Sequence, residues 1–346
     1  MPAQQSYMET HPEFVKPKLP YIAGASINIR AHKPTYPPPR SSVSIEDEIK
    51  EWESSSPLAR CLKHPPTKGT EGNDNYDLHI ESALHARDGS RAQVVRAKVK
   101  RHSGDNSVHS VSAPPEDESI VAKFYDPLYA DHDEVGSYIF NLAESTYATE
   151  ATAYAKVSKV QGQFVPKFYG SFTCSFPASE GKTRQVRLIL MEFVEGEVMY
   201  KLDPNALSVR QKQDIMKGVI DAETAVFKED VMMNDVAPRN ILILPESHDK
   251  KEGAGPASRT CRVVLIDFDN AYLARQSPRM IAEYGEQRYF PGQYISPLLR
   301  WAEYTGLSEF DDWIDWDWKE WIGELYAADK SHVTDGMKEV WRRGVA

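Results

Sequence analysis

The sequence predicts an α+β fold in which a small antiparallel sheet with one helix precedes a mainly helical half. Three observations predict it. Apolar and polar residues alternate along several short segments between residues 78 and 192, as strands with one buried face require. Apolar residues recur every three or four positions over residues 208–230, which is the period of an amphipathic helix. Beyond Asp269 the chain reads as mainly helical, and no internal repeat divides it.

The first half reads as β-β-β-α-β-β. Leu78 to Val99 form a strand pair that turns near "RDGSR", and "SIVAKFYD" is the third strand. The segment "YIFNLAESTYATEATAYAKVSKV" is a helix, because Tyr147, Ala151 and Tyr154 fall on one face. Two further strands follow, "FVPKFYGSF" and "VRLILMEF", and the second is apolar enough to be buried.

The second half contains a long helix, a hairpin and a tryptophan-rich segment. Ser208 is a plausible N-cap for the helix "SVRQKQDIMKGVIDAETAVFKED". The strands "ILIL" and "RVVLIDFD" pair around a polar loop from Pro245 to Thr260. Five of the seven tryptophans lie between Trp301 and Trp321, and their helical spacing indicates packing in a core rather than a ligand cage.

Residues 1–75 hold many of the prolines, including those in "KPTYPPPR". Apolar clusters are few there, and "SIEDEIKEWE" is the one short helical candidate. Such a composition predicts a Pro-rich N-terminal extension that wraps another part of the molecule.

Composition bounds the class of protein and its partners. The 346 residues are 41% hydrophobic, enough for the core of an enzyme, and the net charge of −10 is scattered, which disfavours DNA as a partner. The three cysteines, Cys61, Cys174 and Cys261, are too far apart for a zinc site or a disulfide scaffold. We find no basic-then-apolar leader and no apolar run long enough to cross a bilayer, so we expect a cytoplasmic protein without a membrane partner.

Five polar residues occur in an order that suits phosphoryl transfer from ATP. That reaction needs a cation on the phosphates, oxygen ligands for magnesium and a carboxylate near the nucleophile. Lys123, in the strand "IVAKFY", is the candidate for the phosphates, and Glu150 on the following helix could pair with it. Asp235 would accept or orient the substrate proton. Asn240, five residues later, and Asp267, directly after "VVLI", could supply oxygens to magnesium, a hard cation.

Each of these residues also has an ordinary structural interpretation. Lys123 alone is a strand lysine paired at the surface, and Asp235 with Asn240 is a turn whose side chains satisfy backbone amides. Asp267 is harder to explain in this way, because a carboxylate at the end of a buried strand needs a partner or a cation. The order of all five residues along the chain favours the functional interpretation.

The motifs that carry these residues resemble those of the protein-kinase-like superfamily, especially its divergent fungal kinase-like and small-molecule phosphotransferase branch. "VAK" resembles the strand lysine motif, "TEATAY" the helix glutamate, "LILMEFVEG" the strand that enters the hinge, "NDVAPRN" the catalytic loop and "IDFDNA" the magnesium-binding aspartate. The resemblance covers residues 76–325 or so. It implies ATP and Mg²⁺ as cofactors and a two-lobed protein-kinase-like fold with a small antiparallel sheet lobe and a mainly helical lobe.

The resemblance also implies an adenine site and a domain organisation. Met191 would be the gatekeeper, and the backbone of Glu192 and Val194 would meet the adenine edge, with Lys123 on the phosphates. The implied segments are an N-terminal extension, a kinase-like N-lobe, a kinase-like C-lobe and a C-terminal tail, over residues 1–75, 76–192, 193–330 and 331–346.

The sequence departs from the family pattern at several points. Met233 stands where the family usually has histidine, and Asn234 replaces the usual arginine or glycine. No G-x-G-x-x-G segment precedes Lys123, so backbone amides that cradle the phosphates are not predicted. No A-P-E segment follows Asp269, and Ala237 replaces the lysine common in serine/threonine kinases. These departures favour a small-molecule or other non-protein acceptor.

Two other classes of function stay open beside an ATP/Mg-dependent phosphotransferase. One is a pseudokinase-type binding module, which Met233 and the missing glycine loop favour. The other is a transferase that takes an aminoacyl group from charged tRNA, resembling the fungal arginine-containing cyclodipeptide synthases. The second would make tRNA a partner and would need a basic surface in spite of the acidic total.

Overall fold

The computed structural model describes residues 16–38, 45–101, 113–132, 139–178, 181–244, 262–275, 293–302 and 305–345. The chain divides into two compact units. The first, called here the barrel unit, comprises Met1–Thr152 and Phe168–Phe193. The second unit comprises Ala153–Lys167 and Val194–Ala346.

The barrel unit is built on six antiparallel strands that close on themselves in the order β1-β2-β3-β4-β6-β5. Alternate residues of each strand point inward, and the interior is filled by aliphatic and aromatic side chains such as Leu78, Val95 and Leu188. The strands are β1 Ser26–Lys33, β2 Thr70–His85, β3 Gln93–Arg101, β4 Ile120–Tyr125, β5 Phe168–Pro177 and β6 Thr183–Glu192.

The predicted fold class, a two-lobed protein-kinase-like architecture with a small antiparallel sheet lobe, is wrong, because the sheet is a closed barrel. Strand β1 closes it by pairing with β2 along one side and with β5 along the other. Its sequence "SINIRAHK" has the period of two that buries Ile27 and Ile29, but the proline-rich composition around it pointed to an extension. Pairing on both sides removes the edges that an open sheet would expose.

In the described ranges, three α-helices accompany the strands of the barrel. The candidate "SIEDEIKEWE" is confirmed as α1, Ile45–Ser54, and a second helix, α2, Pro57–Lys63, begins at the N-cap Ser56. The long helix α3, Ile139–Lys156, confirms the helix predicted before β5, and its last residues belong to the second unit.

The second unit contains one long helix, short strands and several short helices. Ser208 caps its long helix through a capping box with Gln211, as the sequence indicates. The hairpin of "ILIL" and "RVVL" is confirmed, and the loop from Pro245 to Thr260 lies outside the described residues. The strands are β7 Glu197–Val198, β8 Met232–Met233, β9 Ile241–Leu244, β10 Arg262–Leu265 and β11 Ala271–Tyr272; the helices are α4 Val209–Lys228, α5 Pro297–Arg300, α6 Trp318–Leu325 and α7 Asp335–Val345.

The tryptophan-rich segment packs into the interior of the second unit. Trp301, Trp313 and Trp318 are buried, and the indole nitrogen of Trp318 donates to the backbone oxygen of Trp301 at 2.8 Å. Packing, the role that the sequence indicates for these residues, is therefore what the structure shows. Among the described residues, no helix has the length and apolar character to span a membrane.

Candidate functional site

Strand β4 sets the direction of Lys123. Ala122 and Phe124 point into the barrel and are fully buried. Because successive side chains of a strand point to opposite faces, Lys123 and Tyr125 lie together on the outer face. Helix α3 covers this outer face and carries Glu150.

Lys123, Tyr125 and Glu150 form a buried cluster. The Nζ atom of Lys123 lies 2.6 Å from Oε2 of Glu150, and the hydroxyl of Tyr125 donates to the same oxygen at 2.6 Å. Lys123 is 7% exposed and Glu150 is fully buried. A buried carboxylate with two donors is held in one position, and it holds the lysine in turn. The cluster therefore presents a fixed ammonium group at the outer face of the barrel unit.

In the second unit, Asn240 and Asp267 lie at the same end of the β9–β10 hairpin. The last pair of the ladder is Leu265 with Ile241, and the backbone nitrogen of Ile266 donates to the backbone oxygen of Asn240 at 2.9 Å. Asp267 follows directly and has a positive φ of 70°. Its Oδ1 accepts from the backbone nitrogen of Asp269 at 3.3 Å. An aspartate held in the left-handed region costs conformational energy, and such residues concentrate at functional sites.

Asp235 is oriented by two neighbours in the same loop. Its Oδ2 accepts from Nδ2 of Asn240 at 2.9 Å, and its Oδ1 accepts from Arg239 at 2.5 Å. Asn240 also donates to the backbone oxygen of Asp235 at 3.0 Å. Arg239 is shared with Glu309, at 2.9 Å, so its charge is divided between two carboxylates.

The arrangement of Asn240 fits a role as a magnesium ligand. Because its amide nitrogen is used by Asp235, the orientation of the amide group is fixed and the amide oxygen is the atom left for a cation. Amide and carboxylate oxygens are the ligands that Mg²⁺ prefers. Asn240 and Asp267 supply one of each at one end of the hairpin. No group of three or more His, Cys, Asp or Glu side chains with metal-binding geometry occurs in the part of the chain that the structure describes.

The residues predicted to meet adenine lie at the end of β6 and just beyond it. Met191 pairs with Val121 of β4 and is buried, and Glu192 pairs with Ile120. Val194 is the first residue of the next segment, which belongs to the second unit, and its backbone oxygen accepts from the nitrogen of Gly196 at 2.9 Å.

The turn between β2 and β3 uses its own backbone amides. The nitrogen of Arg87 donates to the side-chain oxygen of Gln93 at 2.8 Å, and the nitrogen of Gly89 donates to the backbone oxygen of Tyr129 at 2.9 Å. These two amides are therefore engaged within the barrel unit.

Two residues of these clusters were not among the predicted site residues. One is Tyr125, whose position two residues after Lys123 places both side chains on one strand face. The other is Arg239, which stands four residues after Asp235 and lies in a short 3₁₀ turn, Pro238–Asn240. In both cases the spacing along the chain from a predicted site residue is the sequence signal that indicates a shared site.

Comparison with known proteins does not place the chain in a family. No protein-family profile matches the sequence, and no curated protein matches it. Among solved structures, the crystal structure of WbdD is similar with a TM-score of 0.38 and 12% sequence identity, over 78% of this chain and 51% of that chain. The chain thus spans about half the length of the WbdD chain.

Proposed function

We propose that the protein is a magnesium-dependent phosphotransferase that uses ATP and acts on a small-molecule or other non-protein acceptor. The observation that carries the proposal is the buried Lys123–Glu150 pair with Tyr125 as a third member. Glu150 and the face of strand β4 fix the ammonium group of Lys123 at the outer face of the barrel unit, which is what a cation that binds phosphate groups requires.

The residues of the second unit support the same reaction. Asn240 and Asp267 would hold Mg²⁺, which neutralises phosphate oxygens when it is bound. Lys123 would bind the phosphates through its ammonium group. Asp235, fixed by Arg239 and Asn240, would accept the proton of the acceptor hydroxyl while the hydroxyl oxygen takes the terminal phosphoryl group and ADP leaves.

The proposal makes nucleotide binding depend on magnesium and on two side chains. We would measure the thermal unfolding of the wild type with ATP, with magnesium and with both. Ligand at about a hundred times its dissociation constant stabilises a fold by about 2.7 kcal/mol, which shifts the unfolding midpoint by several degrees. We expect this shift only with both components, and we expect Lys123→Met and Asp267→Asn to remove most of it.

Two matched variants control for damage to the fold. Lys98→Met removes another strand lysine, which pairs with Glu81 at 3.4 Å. Asp230→Asn changes another aspartate with a positive φ, of 59°, in the second unit. Asparagine tolerates that backbone conformation, so Asp267→Asn tests the charge rather than the turn. Both controls should keep the full shift.

Turnover is measured as ADP formation with pooled hydroxyl-bearing and amine-bearing small molecules. We expect Asp235→Asn to abolish transfer and to keep the nucleotide-dependent shift. No shift at millimolar ATP with magnesium would contradict the proposal. A shift without transfer to any acceptor would indicate a binding module instead.

A further inference from the structure

A cavity lies beside the Lys123–Glu150 cluster, entirely within the barrel unit. It has a volume of about 260 Å³, and its walls come from α3, from the last residue of α2 and the segment after it, from the end of β4 and from the middle of β6. Tyr125 and Arg187 are opposite each other in the β4–β6 ladder and both line it. Since Leu188 points into the barrel, Arg187 lies on the outer face with Tyr125.

Arg187 is a buried cation with unused hydrogen-bond donors. It is 3% exposed, and its Nη2 donates to the backbone oxygen of Thr67 at 2.8 Å. The carboxylate of Glu71 is 3.9 Å from Nη1, which is beyond hydrogen-bond distance. Within the described part of the chain, Nε and Nη1 have no hydrogen-bond partner. Donors of a buried charged group are costly to leave unpaired, so these two nitrogens favour a hydrogen-bonding ligand in the cavity that Arg187 lines.

The rest of the lining indicates what kind of ligand fits. The side chains of Tyr125, Pro65 and Phe140 give the cavity apolar and aromatic walls. Lys63, whose side chain is 65% exposed, stands at the solvent side. Glu144 is the lining carboxyl group, and it accepts from the backbone nitrogen of Thr67 at 2.9 Å. Burial raises the pKa of Glu144.

We propose that this cavity binds a small organic anion, whose carboxylate or phosphate oxygens pair with Nε and Nη1 of Arg187 while an apolar body packs against Tyr125 and Phe140. Arginine suits such an anion because its guanidinium group donates charge-assisted hydrogen bonds. The cavity is somewhat smaller than the roughly 300–1,000 Å³ of sites for drug-sized ligands, which limits the occupant to a compact molecule.

The ligand site would be one hydrogen bond away from the candidate catalytic cluster. Tyr125 is both a wall of the cavity and the donor to Glu150 at 2.6 Å. An anion seated against Tyr125 would thus act on the position of Glu150, and only this consequence rests on the proposed function. Binding itself is measured without nucleotide, so its outcome is independent of the phosphotransferase proposal.

The test is calorimetric titration of the full chain with benzoate, phenyl phosphate and neutral benzamide. We expect one of the two anions to bind, and benzamide not to bind. Arg187→Gln should weaken binding by at least about tenfold, since a hydrogen bond to a charged group contributes about 1.5–3 kcal/mol. Arg96→Gln, on strand β3 and paired with Glu81 at 3.2 Å, is the matched control and should bind as the wild type does.

Two further variants keep the test decisive if Arg187→Gln misfolds. Ala143→Met fills the cavity from α3 and leaves Arg187 in place, so it should block binding. Glu144→Gln removes the lining carboxyl group and keeps an oxygen for Thr67, so it should strengthen binding several-fold. No binding of either anion at about 10 mM, a level at which even a dissociation constant of 1 mM would be saturated, would mean that water fills the cavity and would overturn the proposal. If Ala143→Met and Glu144→Gln bind the anion with the affinity of the wild type, the anion binds at another place, and the proposal is overturned as well.

Discussion

Asp126 and Arg184 form an ion pair in which both side chains are buried. The Nη1 atom of Arg184 lies 2.7 Å from Oδ1 of Asp126, and the hydroxyl of Tyr21 donates to Oδ2 at 2.6 Å. The pair raises the pKa of Arg184, because the carboxylate outweighs the effect of burial. It also holds the segment before β1 against the barrel, through Tyr21.

We therefore expect Asp126→Asn to lower the free energy of unfolding by about 3–5 kcal/mol, the cost of leaving one buried charge without its partner. Urea unfolding measures the change. Asp88→Asn removes a carboxylate that is 63% exposed and pairs with Lys16 at 2.7 Å, and its cost should stay below about 1 kcal/mol. Equal costs for the two variants would show that burial of the Asp126 pair has no effect on stability.

Strand β1 is a structural part of the barrel, and replacing Ile29 tests its contribution to the stability of the fold. Ile29 is fully buried in the barrel core. We expect Ile29→Ala to cost about 2–5 kcal/mol in unfolding free energy, the range for a large aliphatic residue replaced in a core. Ile22→Ala is the control, because Ile22 is 59% exposed. If Ile29→Ala unfolds like the wild type, β1 is not part of the stable barrel.

The hydroxyl of Tyr125 should be coupled to Glu150 energetically as well as geometrically. Tyr125→Phe keeps the ring and removes one of the donors to Glu150, so we expect a loss of stability of about 1.5–3 kcal/mol, as for a hydrogen bond to a charged group. A double-mutant cycle with Glu150→Leu, which leaves no acceptor for the Tyr125 hydroxyl, isolates this interaction. Costs that are simply additive would mean that the hydrogen bond does not form.

Protonation of His132 should destabilise the fold in mild acid. Its Nε2 lies 2.8 Å from the backbone oxygen of Pro127 and must donate, so Nδ1, 3.2 Å from Arg60, must accept. Burial, with Lys16 and Arg60, lowers the pKa of His132 from 6.5 to about 4. In the pH window between these values the unfolded chain binds a proton that the folded chain does not. Stability is therefore complete above the upper value and is lost as the pH falls toward the lower one.

We expect His132 to account for up to roughly 3 kcal/mol of this loss, since one pKa unit corresponds to about 1.4 kcal/mol. Unfolding free energies at about pH 7.5 and about pH 5 test it, because most of the titration window lies between them. His132→Gln should show a smaller difference between the two than the wild type. His332→Gln, at an exposed position, should not.

In the second unit, Glu223 joins α4 to the segment around α5. It accepts from Nη2 of Arg300 at 2.5 Å and from the indole nitrogen of Trp301 at 3.0 Å, and all three residues are buried. Glu223→Gln should cost about 3 kcal/mol or more, because Arg300 then lacks its counter-charge. Asp335→Asn, which affects an exposed pair with Lys338, should be nearly neutral. A neutral Glu223→Gln would mean that Arg300 is compensated by other acceptors.

Most of the individual elements could be predicted from the sequence, because each carries its own periodicity. The alternation in β3, the helical spacing in α3 and α4 and the N-cap Ser208 are local signals, and the structure confirms those elements. Closure of the barrel could not be predicted in the same way. It depends on pairing between β1 and β5, and no local pattern reports which distant strand a segment will meet.

The candidate site likewise has parts that a local sequence pattern predicts and parts that depend on contacts between distant segments. The carboxylate and amide at the end of the β9–β10 hairpin follow from a short-range pattern, since a hairpin brings the two strand ends together. The role of Tyr125 and the cavity beside Arg187 depend on how α3 lies on the outer face of the barrel. That packing is set by many contacts at once, and a single sequence does not encode it in any one segment.

Barrel closure also has a consequence for the order in which the protein is made. The hydroxyl of Ser171 in β5 donates to the backbone oxygen of His32 in β1, and these residues stand 139 positions apart. After β1 has left the ribosome, four more strands, β2 to β5, and the Ala153–Lys167 segment of the second unit are synthesised before the last barrel strand, β6, emerges. During that time the nascent barrel has unpaired edges that are open to other chains. Early synthesis is therefore the stage at which this protein most needs a chaperone, and a fragment that stops before β5 should aggregate rather than fold.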